Sequence, residues 1–146
     1  MSGKNQKKIP KAFVHPKETK MPKAQSFPTE SCRPEFKADQ MDLQGPWGWD
    51  HLGSKELQEI FSKIFDTQKL TWQELKGKGS HLVDVKDLIP EAQKRLIEIQ
   101  KEDTDQLYSL RLSGVRRIWG IKDSNIFWIL WWDPSHKVCK SNKKHT

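Results

Sequence analysis

The fold is decided by residues 107–140, LYSLRLSGVRRIWGIKDSNIFWILWWDPSHKVCK. Apolar residues alternate with other residues along most of this stretch, and polar segments at Ser113-Gly114 and residues 122–125 interrupt the alternation. A period of two residues is typical of strands, and short polar segments between strands are typical of hairpin turns. The pattern therefore predicts three consecutive antiparallel strands, a meander, near the end of the chain.

Two arginines of this meander are predicted to face each other. A three-residue first turn places Arg111 opposite Arg117, and a two-residue turn places it opposite Arg116. Like charges directly across a strand pair are unfavourable unless an anion, a carboxylate or solvent compensates them. Either register predicts a site for an anion such as phosphate. An exposed pair screened by salt, or bridged to Asp133 or Asp105, is the competing interpretation.

The turn lengths also assign the two faces of the meander. A second turn at residues 122–125 that pairs Ile121 with Ile126 also pairs Trp119 with Trp128. Alternation then places on one face Arg111, Arg117, Trp119, Trp128, Leu130 and Trp132. The opposite face is apolar apart from Arg116 and is predicted to receive the helices, over Tyr108, Leu110, Leu112, Ile118, Phe127, Ile129 and Trp131.

The face with the arginines is typical of a nucleic-acid surface. Guanidinium groups bind phosphate oxygens, and indole rings stack on unpaired bases. The nucleic-acid-binding residues predicted on this basis are Arg111, Arg116, Arg117, Trp119, Lys122 and Trp128. Tryptophan and arginine also dominate protein interfaces, and tryptophans at strand spacing commonly pack in a core. A protein-binding face and ordinary packing of Trp128 and Trp132 are the alternatives.

Three helices are predicted upstream of the meander. The first follows Ser54, a residue type that favours the helix N-cap, and its apolar stripe is Leu57, Ile60, Phe61, Ile64 and Phe65. The second begins at Thr71, which has capping-box spacing to Glu74, and Gly77 and Gly79 end it. The third begins at Pro90, with an apolar side formed by Ala92, Leu96 and Ile99.

A strand within residues 34–43 completes the predicted architecture, because it can cover the free side of the apolar last strand. The fold class predicted is α+β. It consists of an antiparallel sheet that ends in a three-strand C-terminal meander, with two or three helices packed on one face.

Charge divides the chain into unequal parts. Residues 1–23 carry seven lysines and one glutamate, which account for +6 of the net charge of +7. A segment rich in Lys and Pro with few apolar residues buries little surface and stays extended. We therefore predict a basic flexible leader over residues 1–28, a single α+β domain over 29–140 and a basic tail over 141–146.

Compartment and redox state follow from what the sequence lacks. It has no apolar run of bilayer-spanning length and no hydrophobic centre of a secretory signal, which predicts a cytoplasmic protein with no membrane partner. Cys32 and Cys139 have no metal-ligand spacing around them. Free thiols are the simplest interpretation, and one long-range disulfide remains open.

The order of elements resembles that of the RelE/ParE superfamily of bacterial toxins. Over about residues 34–140, one strand, helices and three antiparallel strands follow one another, and the meander looks like the family's Leu/Arg-rich hairpin, apolar strand and basic end. RelE-like members cut messenger RNA on the ribosome, whereas ParE-like members act on DNA gyrase without being nucleases. The resemblance implies RNA or the ribosome as partner, together with a cognate antitoxin protein.

The resemblance also implies functional positions. Arg111 and Arg117 match the strand arginines, and His136 or Lys137 matches the basic group after the last strand. If a ribose 2′-hydroxyl attacks the adjacent phosphate, His136 can transfer a proton while Arg111, Arg117 and Lys137 stabilise negative charge. This interpretation is a metal-independent endoribonuclease that needs no cofactor. His81 is a weaker second candidate for proton transfer.

A non-catalytic module that binds protein or DNA through the same face is the alternative function. The five histidines lack metal-ligand spacing, so no metal site is predicted. Residues 77–81 include two glycines but lack the spacing of a phosphate-binding loop for nucleotide hydrolysis.

Overall fold

A five-stranded sheet organises residues 29–140, the part of the chain that this computed structural model describes. The strands are β1 (Glu35–Lys37), β2 (His81–Asp84), β3 (Gln106–Ser113), β4 (Arg116–Asp123) and β5 (Ile126–Asp133), in the spatial order β1-β5-β4-β3-β2. The helices of this region are α1 (Ser54–Thr67), α2 (Trp72–Gly77) and α3 (Pro90–Glu98). The α+β class and the C-terminal meander β3-β4-β5 are confirmed, whereas the predicted leader and tail lie outside the described residues.

The sheet is mixed, so the prediction of an antiparallel sheet throughout was wrong for one edge. β1 runs parallel to β5 and pairs Glu35 with Ile126 and Lys37 with Trp128. Its place on the free side of β5 is as predicted. Because α1 to α3 and three strands separate β1 from β5 in sequence, no hairpin forces these two strands to be antiparallel. The strand is short because a turn follows it at residues 39–40.

Helices cover both faces of the sheet, so the prediction that they pack on one face was wrong. On the first face, α1 and α2 pack over Tyr108, Leu110, Ile118, Phe127, Ile129 and Trp132. On the second face, α3 and Trp47 pack over Leu107, Trp119, Leu130 and Trp131. Without α3, four large apolar side chains of the second face would be exposed to water. Burial of this apolar surface favours the packing of a helix on the second face as well.

A β-bulge at Leu130 reverses the predicted orientation of the last two tryptophans. Trp119 pairs with Trp131, but Gly120 pairs with Ile129, so Leu130 is an extra residue in β5. Leu130 and Trp131 therefore both face the second cluster, and Trp132 faces the first. A Cβ at Gly120 would lie 2.3 Å from the carbonyl oxygen of Trp128, so this close approach requires glycine.

The two turns of the meander differ in how well they were predicted. Arg111 pairs with Arg117, as the three-residue register requires, and a second irregularity follows before Ser113 pairs with Arg116. The second turn is tighter than predicted, because Asp123 pairs directly with Ile126. Strand β5 is consequently shifted, and Ile121 lies opposite Trp128 rather than Ile126.

The helices follow local signals with one exception. Thr71 and Glu74 form the predicted capping box, with N–H to side-chain oxygen distances of 2.9 and 3.1 Å. Pro90 occupies the first turn of α3, with Ala92 and Leu96 buried as predicted. In α1 the N-cap is Gly53 rather than Ser54, and only part of the predicted stripe is buried; Phe61 and Phe65 stay 45% and 59% exposed.

A buried ion pair fastens α3 to the loop that carries Trp47. The Asp42 carboxylate accepts hydrogen bonds from Arg95 Nε and Nη2 at 2.8 and 2.7 Å and from the Trp131 indole at 2.8 Å. Burial would raise the pKa of Asp42, but these hydrogen bonds hold it below the ordinary value. Arg95 also contacts Glu98, which is half-exposed, at 3.0 Å.

We expect Arg95→Met to lower the free energy of unfolding by about 3 kcal/mol, because the buried Asp42 carboxylate loses both hydrogen bonds from Arg95 and its counter-charge. Urea unfolding at neutral pH measures this. The matched control is Glu98→Gln, which removes the exposed partner of the same arginine and should change stability by less than about 1 kcal/mol. Equal losses in the two variants would contradict the importance assigned to the Asp42 pair.

Candidate phosphate-binding site

Two guanidinium groups meet at the end of the β3-β4 hairpin on the second face. Arg111 Nε and Arg117 Nη1 donate to the same acceptor, the carbonyl oxygen of Gly114, at 3.2 and 2.8 Å. Within residues 29–140, no carboxylate oxygen lies within 4.0 Å of either group. The predicted bridge to Asp133 or Asp105 is therefore not formed, and the two like charges remain close together.

The turn before β2 shapes the space around Arg111. Ser80 is buried, and its Oγ accepts the backbone N–H of Arg111 at 2.9 Å. Gly79 has φ +104°, and a Cβ there would lie 3.2 Å from Cδ and Nη1 of Arg111. Arg111 Nη1 also lies 3.4 Å from the carbonyl oxygen of Lys78. These contacts hold the guanidinium over the sheet while its outer side stays in water.

A fully buried carboxylate organises the loop after β5. Asp133, opposite Arg117 in the sheet, accepts the indole N–H of Trp119 at 3.0 Å. It also accepts the backbone N–H groups of Lys137 and Val138 at 2.8 and 3.0 Å. The loop that these bonds close carries His136, which has φ +57°. The position of the imidazole thus depends on Asp133.

His81 lies on the same side, and sequence reasoning had ranked it only as a second candidate. It begins β2 opposite Ser109, two residues from Arg111 along β3, so alternation places both side chains on the second face. Its Nδ1 lies 3.0 Å from the carbonyl oxygen of Leu82, which leaves Nε2 for a ligand. The four-residue strand β2 was not predicted, because its sequence is too short to show a period.

The sheet register, the shared Gly114 carbonyl oxygen and the loop closed by Asp133 bring four side chains to one region, which we call the cationic corner: His81, Arg111, Arg117 and His136. Burial and then the charge of Arg111 lower the pKa of Arg117. Burial and then the charge of Arg117 lower the pKa of His136, and His81 acts in the same direction while Asp133 opposes it. His136 is therefore mainly neutral near pH 7, in a partly desolvated and cation-rich site.

The other predicted site residues lie elsewhere, apart from Lys137, which is an exposed neighbour of His136. Trp119 is only 1% exposed, so its indole cannot stack on a base. Lys122 lies on the first face with Nζ 4.7 Å from the ring centre of Trp72. Arg116 lines a groove with α1. Trp128 is half-buried on the second face, at the opposite end of β5 from Asp133.

Comparison with protein-family models, curated proteins and solved structures gives no match for this chain. Across residues 29–140, no three His, Cys, Asp or Glu side chains converge as metal ligands do. The helices of this region are all too short or too polar to cross a bilayer. Cys32 and Cys139, at opposite ends of the described region, are free thiols.

We expect His136 to titrate below its ordinary value of 6.5, and Arg117→Ala to raise its pKa, because a neighbouring positive charge is removed. A folded-state pKa below the unfolded one means that protonation opposes folding. The free energy of unfolding is therefore not reduced by His136 above about pH 6.5. It decreases as the pH falls from there toward the pKa of His136 in the folded protein. NMR of the imidazole resonances measures the titration.

Arg33→Ala is the matched control for this titration, since Arg33 is an exposed arginine next to β1, on the far edge of the sheet. It should leave the His136 midpoint unchanged. A midpoint that moves equally in both variants, or that does not move in Arg117→Ala, would show that Arg117 does not act on the imidazole.

Proposed function

We propose that this protein binds RNA by holding backbone phosphates at the cationic corner. The observation that carries the proposal is the pair Arg111 and Arg117, which donate to one carbonyl oxygen and have no carboxylate partner in the described part of the chain. Such a pair is unfavourable without an anion, and a phosphate that accepts from both guanidiniums relieves the repulsion.

The corner favours backbone binding over base stacking. Trp119, Trp131 and Trp132 are buried, so stacking on these rings does not contribute. The same burial argues against a protein interface built on tryptophan, because those rings already serve as core. The groups available for binding are therefore guanidinium and imidazole groups, which contact phosphate oxygens. Such contacts recognise the charge and geometry of the backbone and not the base sequence.

The resemblance to the RelE/ParE toxins supports RNA as the nucleic acid and extends the proposal to a partner and a location. We propose a cytoplasmic toxin-like protein whose corner meets messenger RNA on the ribosome and is occupied by a cognate antitoxin when inactive. The arginines that resemble the family's strand arginines are the ones that the fold brings together, and His136 lies beside them.

We expect Arg111→Ala and Arg117→Ala each to weaken binding of a fluorescent single-stranded RNA by about tenfold or more, because a charge-assisted phosphate contact is lost. The salt dependence should become shallower by about one counterion per arginine removed. Fluorescence anisotropy across a salt series measures both quantities, with DNA of the same sequence as a second ligand.

Arg33→Ala is again the matched control and should bind RNA like the unaltered protein. RNA binding that does not depend on salt, or that falls equally in all three variants, would overturn the proposed site. Binding of DNA alone would overturn the assignment to RNA while leaving a phosphate site at the corner.

A further inference from the structure

We propose that the cationic corner prefers a terminal phosphate, the phosphomonoester group at one end of an RNA chain, over the phosphodiesters within the chain. This inference rests on the proposed RNA binding and deepens it, because backbone binding alone sets no preference among phosphates. A phosphodiester carries a single negative charge, whereas a phosphomonoester is mainly a dianion at neutral pH and has three acceptor oxygens. The donors and charges of the corner suit the dianion.

The two guanidiniums converge on one point. Arg111 Nε and Arg117 Nη1 donate to the same Gly114 carbonyl oxygen, at 3.2 and 2.8 Å, and the register pairs the two arginines directly across the hairpin. They are therefore close enough to contact a single phosphate together. A surface that binds a run of phosphodiesters instead distributes its cations along the path of the backbone.

Both guanidiniums keep donors for this phosphate. Arg117 donates to the carbonyl oxygens of Gly114 and Arg116 through Nη1 alone. Its Nε and Nη2 edge has no acceptor within the described residues, and such an edge can bind two phosphate oxygens side by side. Arg111 donates through Nε to Gly114 and through Nη1 to Lys78, which leaves its Nη2 for the third oxygen.

The corner is closed toward the centre of the sheet. The next residues inward on the second face are Ser109 and Trp119, which are 2% and 1% exposed, and α3 packs over the cluster beyond them. The loop through the buried Val138 borders the corner on the side of β5. An RNA chain can therefore reach the guanidiniums from the hairpin end but cannot continue along the second face. This favours the end of a chain, because an internal phosphate needs room for the backbone on both of its sides.

The charges of the corner match a dianion when His136 is protonated. The buried Asp133 carboxylate, opposite Arg117, offsets one of the two arginine charges. A proton on His136 restores that charge, so that a phosphate with two negative charges is balanced. The other groups that act on the imidazole are Arg117 and His81, and the adjacent Lys137 is exposed. Binding of a terminal phosphate is therefore expected to bring a proton onto His136.

The test uses the full chain and one short single-stranded RNA, labelled on an internal base, that carries a 5′-phosphate, a 3′-phosphate or hydroxyl groups at both ends. We expect one phosphorylated form to bind about tenfold or more tightly than the hydroxyl form, because it makes additional charge-assisted contacts. Arg117→Ala should remove most of this preference. Fluorescence anisotropy at constant ionic strength measures the affinities, and the form that binds best identifies the end that is recognised.

Arg116→Ala is the matched control, because Arg116 is an exposed arginine of the same hairpin end whose side chain lines the groove with α1. It should keep the preference for the phosphorylated RNA. NMR titration of His136 in the unaltered protein is a second measurement, which holds even if Arg117→Ala fails to fold. The phosphorylated RNA should raise the pKa of His136 above its value with the hydroxyl RNA, because a dianion stabilises the imidazolium more strongly.

Equal affinity for all three forms of the RNA overturns the inference and leaves the proposed function standing, whereas absence of binding by every form overturns both. A preference that survives in Arg117→Ala, or a His136 midpoint that is the same with both kinds of RNA, also overturns the inference, because the terminal phosphate then binds elsewhere.

Inorganic phosphate and a phosphoserine peptide serve as competitors, since they carry the same phosphomonoester chemistry from other sources. We expect each to displace the phosphorylated RNA far less effectively than an unlabelled copy of that RNA does, because neither has the chain that the RNA provides. Displacement by either competitor at the concentration that suffices for the RNA copy would overturn the assignment to an RNA end.

Discussion

The carboxylate of Asp133 accepts three N–H groups where water does not reach, and the proposed site depends on this arrangement. A buried carboxylate without donors would be strongly unfavourable, so the Trp119 indole and two backbone amides must be in place together. The hydrogen bond to Asp133 holds the Trp119 indole in the hydrophobic core below the site. The amides close the loop that carries His136, and the sheet register places Arg117 opposite Asp133.

A second carboxylate, that of Asp42, is also buried on this face of the sheet and is also stabilised by hydrogen-bond donors. The indole of Trp131 donates to Asp42, which also accepts hydrogen bonds from Arg95 of α3. The Leu130 bulge makes this possible, because it turns two consecutive β5 side chains toward α3. The second face is thus covered by α3, whereas Arg111 is exposed and Arg117 is half-buried at the hairpin end.

Sequence reasoning succeeded where the determining contacts are local. The meander and the Thr71 capping box follow from patterns within a few residues. Turn length limited the partner of Arg111 to Arg116 or Arg117, and the structure has Arg117. Sequence reasoning failed where the position of a side chain depends on one extra residue in a strand or on pairing with a distant segment. The Leu130 bulge breaks the period that assigned Trp131 and Trp132 to faces, and no local signal except Gly120 marks it. The place of His81 depends on its pairing with Ser109 of β3, a residue distant in sequence, and periodicity does not report such a pairing.

The cationic corner opposes folding of the free protein. Partial burial, and then the charge of a neighbouring arginine, disfavour the charged forms of Arg117 and His136 and lower the pKa of each. The Asp133 carboxylate opposite Arg117 offsets this penalty only in part, since the pKa values of Arg117 and His136 stay below their ordinary values. An anion that binds the folded state reverses the penalty, because each phosphate contact favours the protonated form and stabilises the folded chain through linkage. The same charges that weaken the free protein would therefore contribute to the binding of the proposed phosphate ligand.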